Sequence, residues 1–395
     1  MKYISEFYDK RIAAGLSGAI KKIAPARELN FMDVCGTHTM SIAREGIKDL
    51  LPANINLISG PGCPVCVTPD EDIDRVIGIS GQKNTTIVTF GDMLKVPGTR
   101  SSLEKERGKG ADVRIVISPL DALEICAKNS NRKIVFFAVG FETTSPGIAA
   151  AIAEAARRKI KNLFVYSSCK LIPPAMEALL KNRKVKIDGF ICPGHVSTII
   201  GSSAYEFIPE EFGIPCVIAG FEPLDILQSV YMLLKQIREK RKKVEIQYKR
   251  CVAEEGNPVA RKILSKVFRP SDAVWRGLGK IPRSGLVLRK EYKKFDAGSR
   301  AFPPRSISGR DLALPLRRVG RLVGKGAPNN EAKASNPKCR CGDVLCGIIT
   351  PDKCGMFGGK CTPESPVGPC MVSSEGTCAA AFKYRHTSNV IRRTF

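Results

Sequence analysis

Cysteines are concentrated at the carboxyl-terminal end of this chain. Seven of its fifteen cysteines fall within forty residues, with the spacing C-x-C-x4-C-x7-C-x6-C-x8-C-x7-C. A buried cysteine packs as a small apolar residue, but this stretch has too few apolar neighbours to form a core. The segment therefore needs metal or disulfide bonds to hold one structure. The seven residues are Cys339, Cys341, Cys346, Cys354, Cys361, Cys370 and Cys378.

The rest of the sequence indicates the compartment in which these thiols work. Residues Met1–Glu6 lack the apolar core of a secretory signal, and no apolar run approaches the ~20 residues that span a bilayer. We expect a cytoplasmic protein with no membrane partner, in which thiols stay reduced and structural disulfides are rare. Only three histidines occur, at positions 38, 195 and 386, so thiolates are the expected metal ligands.

The spacing of the tail cysteines favours one kind of metal group. Zinc ribbons normally carry two C-x2-C knuckles, and the tail has none. Widely spaced thiolates suit a [4Fe–4S] cluster, because its irons present separate corners to ligands from different loops. Zinc, or disulfides alone, are the alternatives. Thiols in excess of four could form a redox-active pair beside the cluster.

Apolar strands alternate with helical patterns between about residues 28 and 235. This alternation is typical of an α/β protein with mainly parallel sheets covered on both faces. The helical patterns run over 41–51, 146–158 and 223–238. The predicted strands are Leu29–Val34, Ile55–Ser59, Thr86–Phe90, Val113–Ser118, Ile134–Phe141, Leu163–Ser167, Gly189–Cys192 and Cys216–Ala219.

Two parts of this stretch echo each other, since Pro61-Gly62-Cys63 and Pro193-Gly194-His195 both follow strands. We therefore predict two similar Rossmann-like domains, residues 1–130 and 131–238, each with a mainly parallel sheet. A smaller, basic and irregular iron–sulfur domain is predicted over 239–395, and the N-terminal helix is expected to pack on it. Within that domain, residues 302–337 have the composition of a basic linker.

The first predicted strand ends at a thiol. Cys35 opens the sequence C-G-T-H and precedes a predicted helix that Thr37, Thr39 or Ser41 could cap. A helix dipole, worth about 0.3–1 kcal/mol, favours the thiolate, which is the nucleophilic and metal-binding form. The alternative for Cys35 is a small core residue, which the nearby His38 makes less attractive.

The sharpest motif, Gly60-Pro61-Gly62-Cys63-Pro64-Val65-Cys66, follows the second strand. Its C-x-x-C pair can close a small disulfide ring or bind a soft metal, and the flanking Gly and Pro fix an unusual backbone path. Ligand sites in open parallel sheets form where loops leave the carboxyl ends of strands. We therefore expect Cys35, Cys63 and Cys66 to converge on one crevice with a redox or metal function.

Other polar residues at strand ends are weaker candidates. His195 is either functional or a satisfied hydrogen-bonding residue. Glu142, Glu222 and Asp225 could line the same crevice or serve as helix caps. Four cysteines that stand alone in apolar surroundings, at positions 126, 169, 216 and 251, are predicted to be core residues.

The formal net charge of +25 raises the possibility of nucleic-acid binding. No RNA-binding motif accompanies the charge, so a solvated basic face is the simplest interpretation and nucleic acid is not an expected partner. Acidic proteins remain an alternative partner class. The chain also lacks a phosphate-binding P-loop and a Rossmann glycine fingerprint, so neither motif predicts a nucleotide.

Taken in order, the motifs resemble those of the HypD family of hydrogenase maturation proteins, over nearly the whole chain. The matching stretches are Cys35–His38, Gly60–Cys66, Phe90–Met93, Gly140–Thr144, Pro193–Ser197, Gly220–Asp225, Glu255–Pro258, Trp275–Gly279 and Gly368–Gly376. The resemblance implies a scaffold on which the iron of the [NiFe] hydrogenase centre receives cyanide and carbon monoxide, giving an Fe(CN)2CO unit. It also implies two partners, a small HypC-type chaperone and a HypE-type cyanide donor.

The resemblance further implies roles for single residues. Cys35 would hold the iron together with the chaperone's N-terminal cysteine, with His38 beside it. Cys63 and Cys66 would form a redox-active pair near that iron. Soft thiolates suit low-spin iron that carries cyanide and carbon monoxide.

For the tail, the resemblance implies a [4Fe–4S] cluster in a setting like that of ferredoxin–thioredoxin reductase. The implied ligands are Cys339, Cys354, Cys361 and Cys378, and the implied neighbouring redox pair is Cys341 and Cys370. The sequence departs from the family at Cys346, where an Arg is expected, and at Cys192, where a Gly is usual. Its basic stretch over 302–337 is also longer and more charged than in the family.

Two other functions are open at the level of sequence. An iron–sulfur thiol–disulfide reductase acting on protein disulfides would use the C-x-x-C pair and the tail, but would leave Cys35 without a task. A basic nucleic-acid-binding metalloprotein is favoured only by the net charge.

Overall fold

A computed structural model describes residues 5–298, 302 and 338–385. His386 and the predicted linker, apart from Phe302, lie outside the described residues. The strands are β1 Leu29–Asp33, β2 Ile55–Ser59, β3 Thr85–Thr89, β4 Asp112–Ile115, β5 Lys133–Ala138, β6 Leu163–Ser167, β7 Gly189–Pro193, β8 Cys216–Ala219, β9 Val244–Ile246, β10 Phe268–Trp275 and β11 Gly279–Leu288.

Helices of three kinds connect these strands. The α-helices are α1 Lys10–Ile23, α2 Gly36–Arg44, α3 Pro64–Val67, α4 Asp70–Ser80, α5 Leu103–Gly108, α6 Asp121–Lys128, α7 Ser145–Arg157, α8 Ile172–Leu180, α9 Gly194–Ile200, α10 Pro223–Arg238, α11 Pro258–Val267, α12 Cys341–Leu345, α13 Pro369–Val372 and α14 Thr377–Tyr384. The 3-10 helices are Ser5–Tyr8, Ile47–Leu50, Gly91–Leu94, Ser203–Tyr205, Lys290–Phe295 and Pro351–Lys353, and Ile208–Phe212 is a π-helix.

All eight predicted strands are present, and they form two parallel sheets. The first sheet has the order β2-β1-β7-β8-β9 and the second has the order β4-β3-β5-β6. Apolar strands such as β7 and β8, buried along their whole length, are what a sheet covered on both faces requires. The α/β class and two Rossmann-like units therefore fit the structure.

The division of strands between the sheets differs from the predicted boundary at residue 130. The chain starts the first sheet with β1 and β2, builds the whole second sheet from β3 to β6, and then returns to the first sheet with β7. Strands β3 and β4 lie before residue 130 and were expected in the same sheet as β1. They belong instead to the second sheet, in which β3 pairs with β4 and with β5. Local patterns could not reveal this, because every strand in such sheets has the same apolar character.

A hairpin and a helix after residue 240 were missed by the sequence analysis. Strands β10 and β11 pair antiparallel with an irregularity between Ser271 and Ala273. The hairpin buries Trp275, whose ring stacks on Phe141 with centroids 5.8 Å apart. The amide of Leu171 donates to Ser284 O at 2.8 Å. The hairpin therefore packs on the end of the second sheet, although exposed residues along β10 hide its strand character.

The N-terminal helix α1 packs on α10, which covers the first sheet. Asp9 caps α1 by accepting from the amides of Arg11 and Ile12 at 2.8 and 3.1 Å. Just before this helix, the Phe7 ring lies under the guanidinium of Arg250, a residue of the predicted third domain. Among the described residues, no helix is long and apolar enough to cross a membrane.

Candidate functional site

The loop that carries Cys35 joins β1 directly to α2. The helix begins at Gly36 rather than at Ser41, and Cys35 occupies its N-cap position with an extended backbone. The three hydroxyls expected to cap the helix bond elsewhere. Thr39 Oγ1 donates to Asp33 Oδ1 at 2.8 Å, and Ser41 Oγ donates to Phe221 O at 2.7 Å.

The Cys35 thiol is protonated rather than activated by the helix. Only 8% of the residue is exposed, and burial raises the pKa of Cys35 to about 12. The amides of His38 and Thr37 lower that pKa in part, while the nearby carboxyl of Glu375 raises it. The start of the helix favours the thiolate, as expected, but desolvation of the buried charge outweighs about 1 kcal/mol of dipole, so the thiol keeps its proton.

The C-x-x-C motif forms a disulfide directly beside this loop. Cys63 is bonded to Cys66, and Cys63 Sγ also accepts from the Cys66 amide at 3.2 Å. Gly36 N donates to Gly62 O at 3.0 Å, and a β-carbon on Gly62 would lie 2.3 Å from Cys35 N. The two loops are thus in backbone contact at the carboxyl ends of β1 and β2, as the crevice hypothesis expected.

His38 connects the Cys35 helix to the carboxyl end of β8. Its Nε2 lies 3.2 Å from Ala219 O and 3.0 Å from Gly220 O, so Nε2 carries the proton and donates. Its Nδ1 is buried and has no hydrogen-bond partner in the part of the chain that the structure describes. Burial lowers the pKa of His38 to about 4, which keeps the ring neutral. His195 lies in the same aromatic group, stacked on Phe221 with centroids 3.9 Å apart.

The cysteine tail closes over these two loops. Helix α14 packs against α2, and α13 packs against α3. Thr37 Oγ1 donates to Glu375 Oε1 at 3.0 Å, and Ser373 Oγ donates to Asp92 Oδ2 at 3.0 Å. Cys66 Sγ lies 3.9 Å from Pro369 O. The tail therefore brings its own cysteines next to both thiol groups of the α/β body.

Six tail cysteines line one small cavity of about 20 Å³. They are Cys339, Cys341, Cys354, Cys361, Cys370 and Cys378. The Cys341 thiol donates to Cys370 Sγ at 2.9 Å. The seventh, Cys346, is buried elsewhere, with its Sγ 3.6 Å from Gly277 O. The family resemblance implied these same six residues, four as cluster ligands and two as the redox pair.

The six cysteines that line the cavity are of the ligand type that iron–sulfur clusters use. Their thiols are close enough to shift one another's pKa: the hydrogen bonds that link Cys341 to Cys339 and Cys370 lower the pKa of Cys341 well below its usual value. Among the described residues, no group of three or more His, Cys, Asp or Glu side chains is arranged to hold a metal ion. Thiols spread around a cavity wall fit a cluster that offers several separate irons.

A buried arginine, missed by the sequence analysis, lies between the tail and the disulfide loop. Arg276 pairs with Asp70, and both side chains are almost fully buried. Arg276 Nε donates to Thr68 O at 3.0 Å, just beyond α3. Its positive charge also lowers the pKa of Cys341. A lone Arg in a Trp-Arg-Gly sequence gives no local signal of such a role, because its partners come from distant segments.

The acidic candidates have different roles. Asp225 accepts from the amide of Glu222 at 3.3 Å at the start of α10, so it serves as a helix cap, which was one of its two predicted roles. Asp225 also pairs with Arg250. Glu142 is fully buried: its Oε1 accepts from Ile172 N at 2.9 Å, and its Oε2 has no hydrogen-bond partner in the described structure. Burial raises the pKa of Glu142 from 4.5 to about 7.

Three of the four isolated cysteines are core residues as predicted. Cys126, Cys169 and Cys216 are buried. The prediction is wrong for Cys251, which is exposed. Cys251 lies in a turn after β9 that buries its neighbour Val252 instead.

The fold and the site define an α/β protein whose buried thiol crevice is closed by a cysteine-rich tail. A sequence profile described as "HypD: Hydrogenase formation hypA family" matches residues 11–385. The chain is 44% identical over 394 residues to hydrogenase maturation factor HypD2 of Bradyrhizobium diazoefficiens, an alignment that covers 97% of each protein.

Two other relatives give the same result. Hydrogenase maturation factor HypD of Rhizobium leguminosarum bv. viciae is 42% identical over 402 aligned residues, which cover 100% of this chain and 98% of the relative. The Escherichia coli (strain K12) factor of the same name is 42% identical over 360 residues, with 91% and 90% covered. The chain belongs to the HypD family of hydrogenase maturation factors.

Replacing Glu142 with Gln should change how stability depends on pH. The folded chain keeps Glu142 protonated up to about pH 7, whereas the unfolded chain ionises it near 4.5. Wild-type stability therefore falls as pH rises through this window, by about 3 kcal/mol from this residue. Gln keeps the acceptor for Ile172 N and cannot ionise. In urea unfolding, the free energy of unfolding of Glu142→Gln should rise relative to that of wild type between pH 4.5 and 7. A difference that stays constant over this range would contradict the prediction.

Proposed function

We propose that the protein is a cytoplasmic scaffold that assembles the Fe(CN)2CO unit of [NiFe] hydrogenase. Its partners in this proposal are a HypC-type chaperone and a HypE-type cyanide donor. Membership of the HypD family supports the maturation role. The observation that carries the finer assignment is the packing of the Cys35 loop, the Cys63–Cys66 disulfide and the six-cysteine cavity against one another.

In this proposal Cys35 and the chaperone's N-terminal cysteine hold the iron that is being modified. Because Cys35 is buried and protonated, binding the iron releases its proton. Asp33 and Glu375 are the carboxyl groups next to the thiol. Burial raises the pKa of both carboxyls, that of Asp33 to about 6, so both accept a proton more readily than exposed carboxylates do.

The second part of the proposal is a relay between two sulfur pairs. A [4Fe–4S] cluster bound by Cys339, Cys354, Cys361 and Cys378 would pass two single electrons from an external electron donor to the Cys341–Cys370 disulfide, which with two protons becomes two thiols. The Cys341 and Cys370 thiols reduce the Cys63–Cys66 disulfide by thiol–disulfide exchange through a mixed disulfide. Two electrons and two protons pass to Cys63 and Cys66, and Cys341 and Cys370 become a disulfide. The contact of Cys66 Sγ with Pro369 O, adjacent to Cys370, supports this route.

The geometry disfavours the alternative of a reductase for protein disulfides. Cys63 is 3% exposed and Cys66 is fully buried under the tail. A protein disulfide could reach them only if α13 left α3. The reductase alternative also gives no task to Cys35, whose backbone contacts Gly62 in the same crevice.

The tail cysteines provide a matched test of the cluster. Protein purified without oxygen should contain about four irons and four sulfides per chain and show a broad visible band. Cys361→Ser should lose most of this iron, because Cys361 lines the cavity. Cys346→Ser should keep it, because that buried thiol lies outside the cavity lining. A colourless wild-type protein with stoichiometric zinc would refute the cluster.

Infrared spectroscopy tests the scaffold. The full chain copurified anaerobically with its chaperone should show cyanide and carbonyl stretching bands. Cys35→Ala should abolish them, whereas Cys251→Ala, which removes an exposed thiol, should leave them unchanged. Bands that persist in Cys35→Ala would contradict the role of Cys35, and their absence from active wild-type preparations would favour the reductase.

A further inference from the structure

A cleft of about 520 Å³ lies beside β6, the edge strand of the second sheet. The β10–β11 hairpin and the segment after β11 form its other walls. Ser167 Oγ donates to Leu286 O at 2.8 Å, and Ala297 N donates to Val165 O at 3.0 Å. These bonds fasten both walls to β6, so a fixed backbone keeps the cleft in shape. Its volume lies within the range of about 300–1,000 Å³ typical of small-molecule sites.

Three cationic side chains line this cleft: Arg269, Lys290 and Lys293. None of the three has an ion pair or a side-chain hydrogen bond within the described residues. By contrast, several arginines elsewhere on the two sheets, such as Arg114, are paired with carboxylates. The cleft therefore gathers positive charge that the folded chain does not neutralise.

The other polar groups of the cleft leave its charge positive. Asp296, the one acidic residue among the described lining residues, offsets one of the three positive charges, and its Oδ1 accepts from Gly298 N at 2.9 Å. The Tyr166 hydroxyl donates to Asp72 Oδ1 at 2.9 Å. Ser271 adds a hydroxyl to the lining. A concave surface focuses the field of its charges, so an anion is attracted more strongly here than to isolated surface lysines.

We infer that this cleft binds a small phosphate-bearing molecule. The guanidinium of Arg269 can engage two phosphate oxygens at once, and Lys290 and Lys293 add point charges. Apolar lining from Val287 and Leu288 suits the organic part of such a molecule. The site uses none of the cysteines of the proposed function, so it can fail or hold independently of that function.

The test uses the full-length protein and pyrophosphate as the probe, with isothermal titration calorimetry at about 0.15 M salt. Wild type should bind one pyrophosphate per chain in a saturable manner. The double variant Lys290→Ala/Lys293→Ala should raise the dissociation constant by about tenfold or more, because two of the three cations are lost. Both lysines are exposed, so the variant should keep the wild-type circular dichroism spectrum and melting temperature.

The matched control is Lys21→Ala/Lys22→Ala at the end of α1, which removes the same charge from another exposed surface. This variant should bind pyrophosphate as wild type does. Equal weakening in both double variants would show attraction by the net charge alone and would overturn the site. Citrate bound as tightly as pyrophosphate would overturn the phosphate assignment. A wild-type titration without saturable binding would also reject the proposal.

Discussion

The docking of the cysteine tail on the carboxyl ends of β1 and β2 is the contact on which the rest of the site depends. Glycines allow this close approach. A β-carbon on Gly36 would lie 2.5 Å from the Cβ of Glu375, and one on Gly62 would lie 2.3 Å from Cys35 N. Backbone from three distant segments therefore packs without intervening side chains, and solvent is removed from the thiols between them.

This removal of solvent sets the chemistry of the crevice. Desolvation is the largest cause of the raised pKa values of Cys35 and Asp33 and of the lowered pKa of His38. Cys35 and His38 are consequently held in their neutral forms near neutral pH, whereas Asp33 becomes protonated only below about pH 6. A thiol of this kind becomes a thiolate when a metal replaces its proton, so the iron binding proposed for Cys35 would depend on pH. The same burial separates the disulfide from other proteins.

Much of the fold could be predicted because strand and turn signals are local. The eight strands of the α/β body, helix α10 and the Pro-Gly turns follow from apolar runs and from residues with fixed backbone preferences. The pairing of strands could not be predicted in the same way. Whether β3 joins β1 or β5 depends on burial between distant segments, and the apolar pattern of the strand is the same in both cases.

In the candidate site, too, local signals predict some residues, while others depend on tertiary packing. Cys35, Cys63 and Cys66 could be placed together because all three follow strands of one parallel sheet. The carboxyl of Glu375 and the Arg276–Asp70 pair could not be placed, since each meets its partners only through tertiary packing. The protonation of Cys35 was mispredicted because a sequence shows the start of a helix but not the tail that covers it.

The most direct test of this account is the accessibility of Cys35 in the native protein. Iodoacetamide should label exposed Cys251 rapidly, while peptide mapping should find Cys35 unmodified until the chain is unfolded in urea. Glu375→Ala, which removes the carboxyl that holds Thr37, should increase the labelling of Cys35 relative to Cys251. Native Cys35 that reacts as fast as Cys251 would show that the tail does not cover the crevice and would contradict the account.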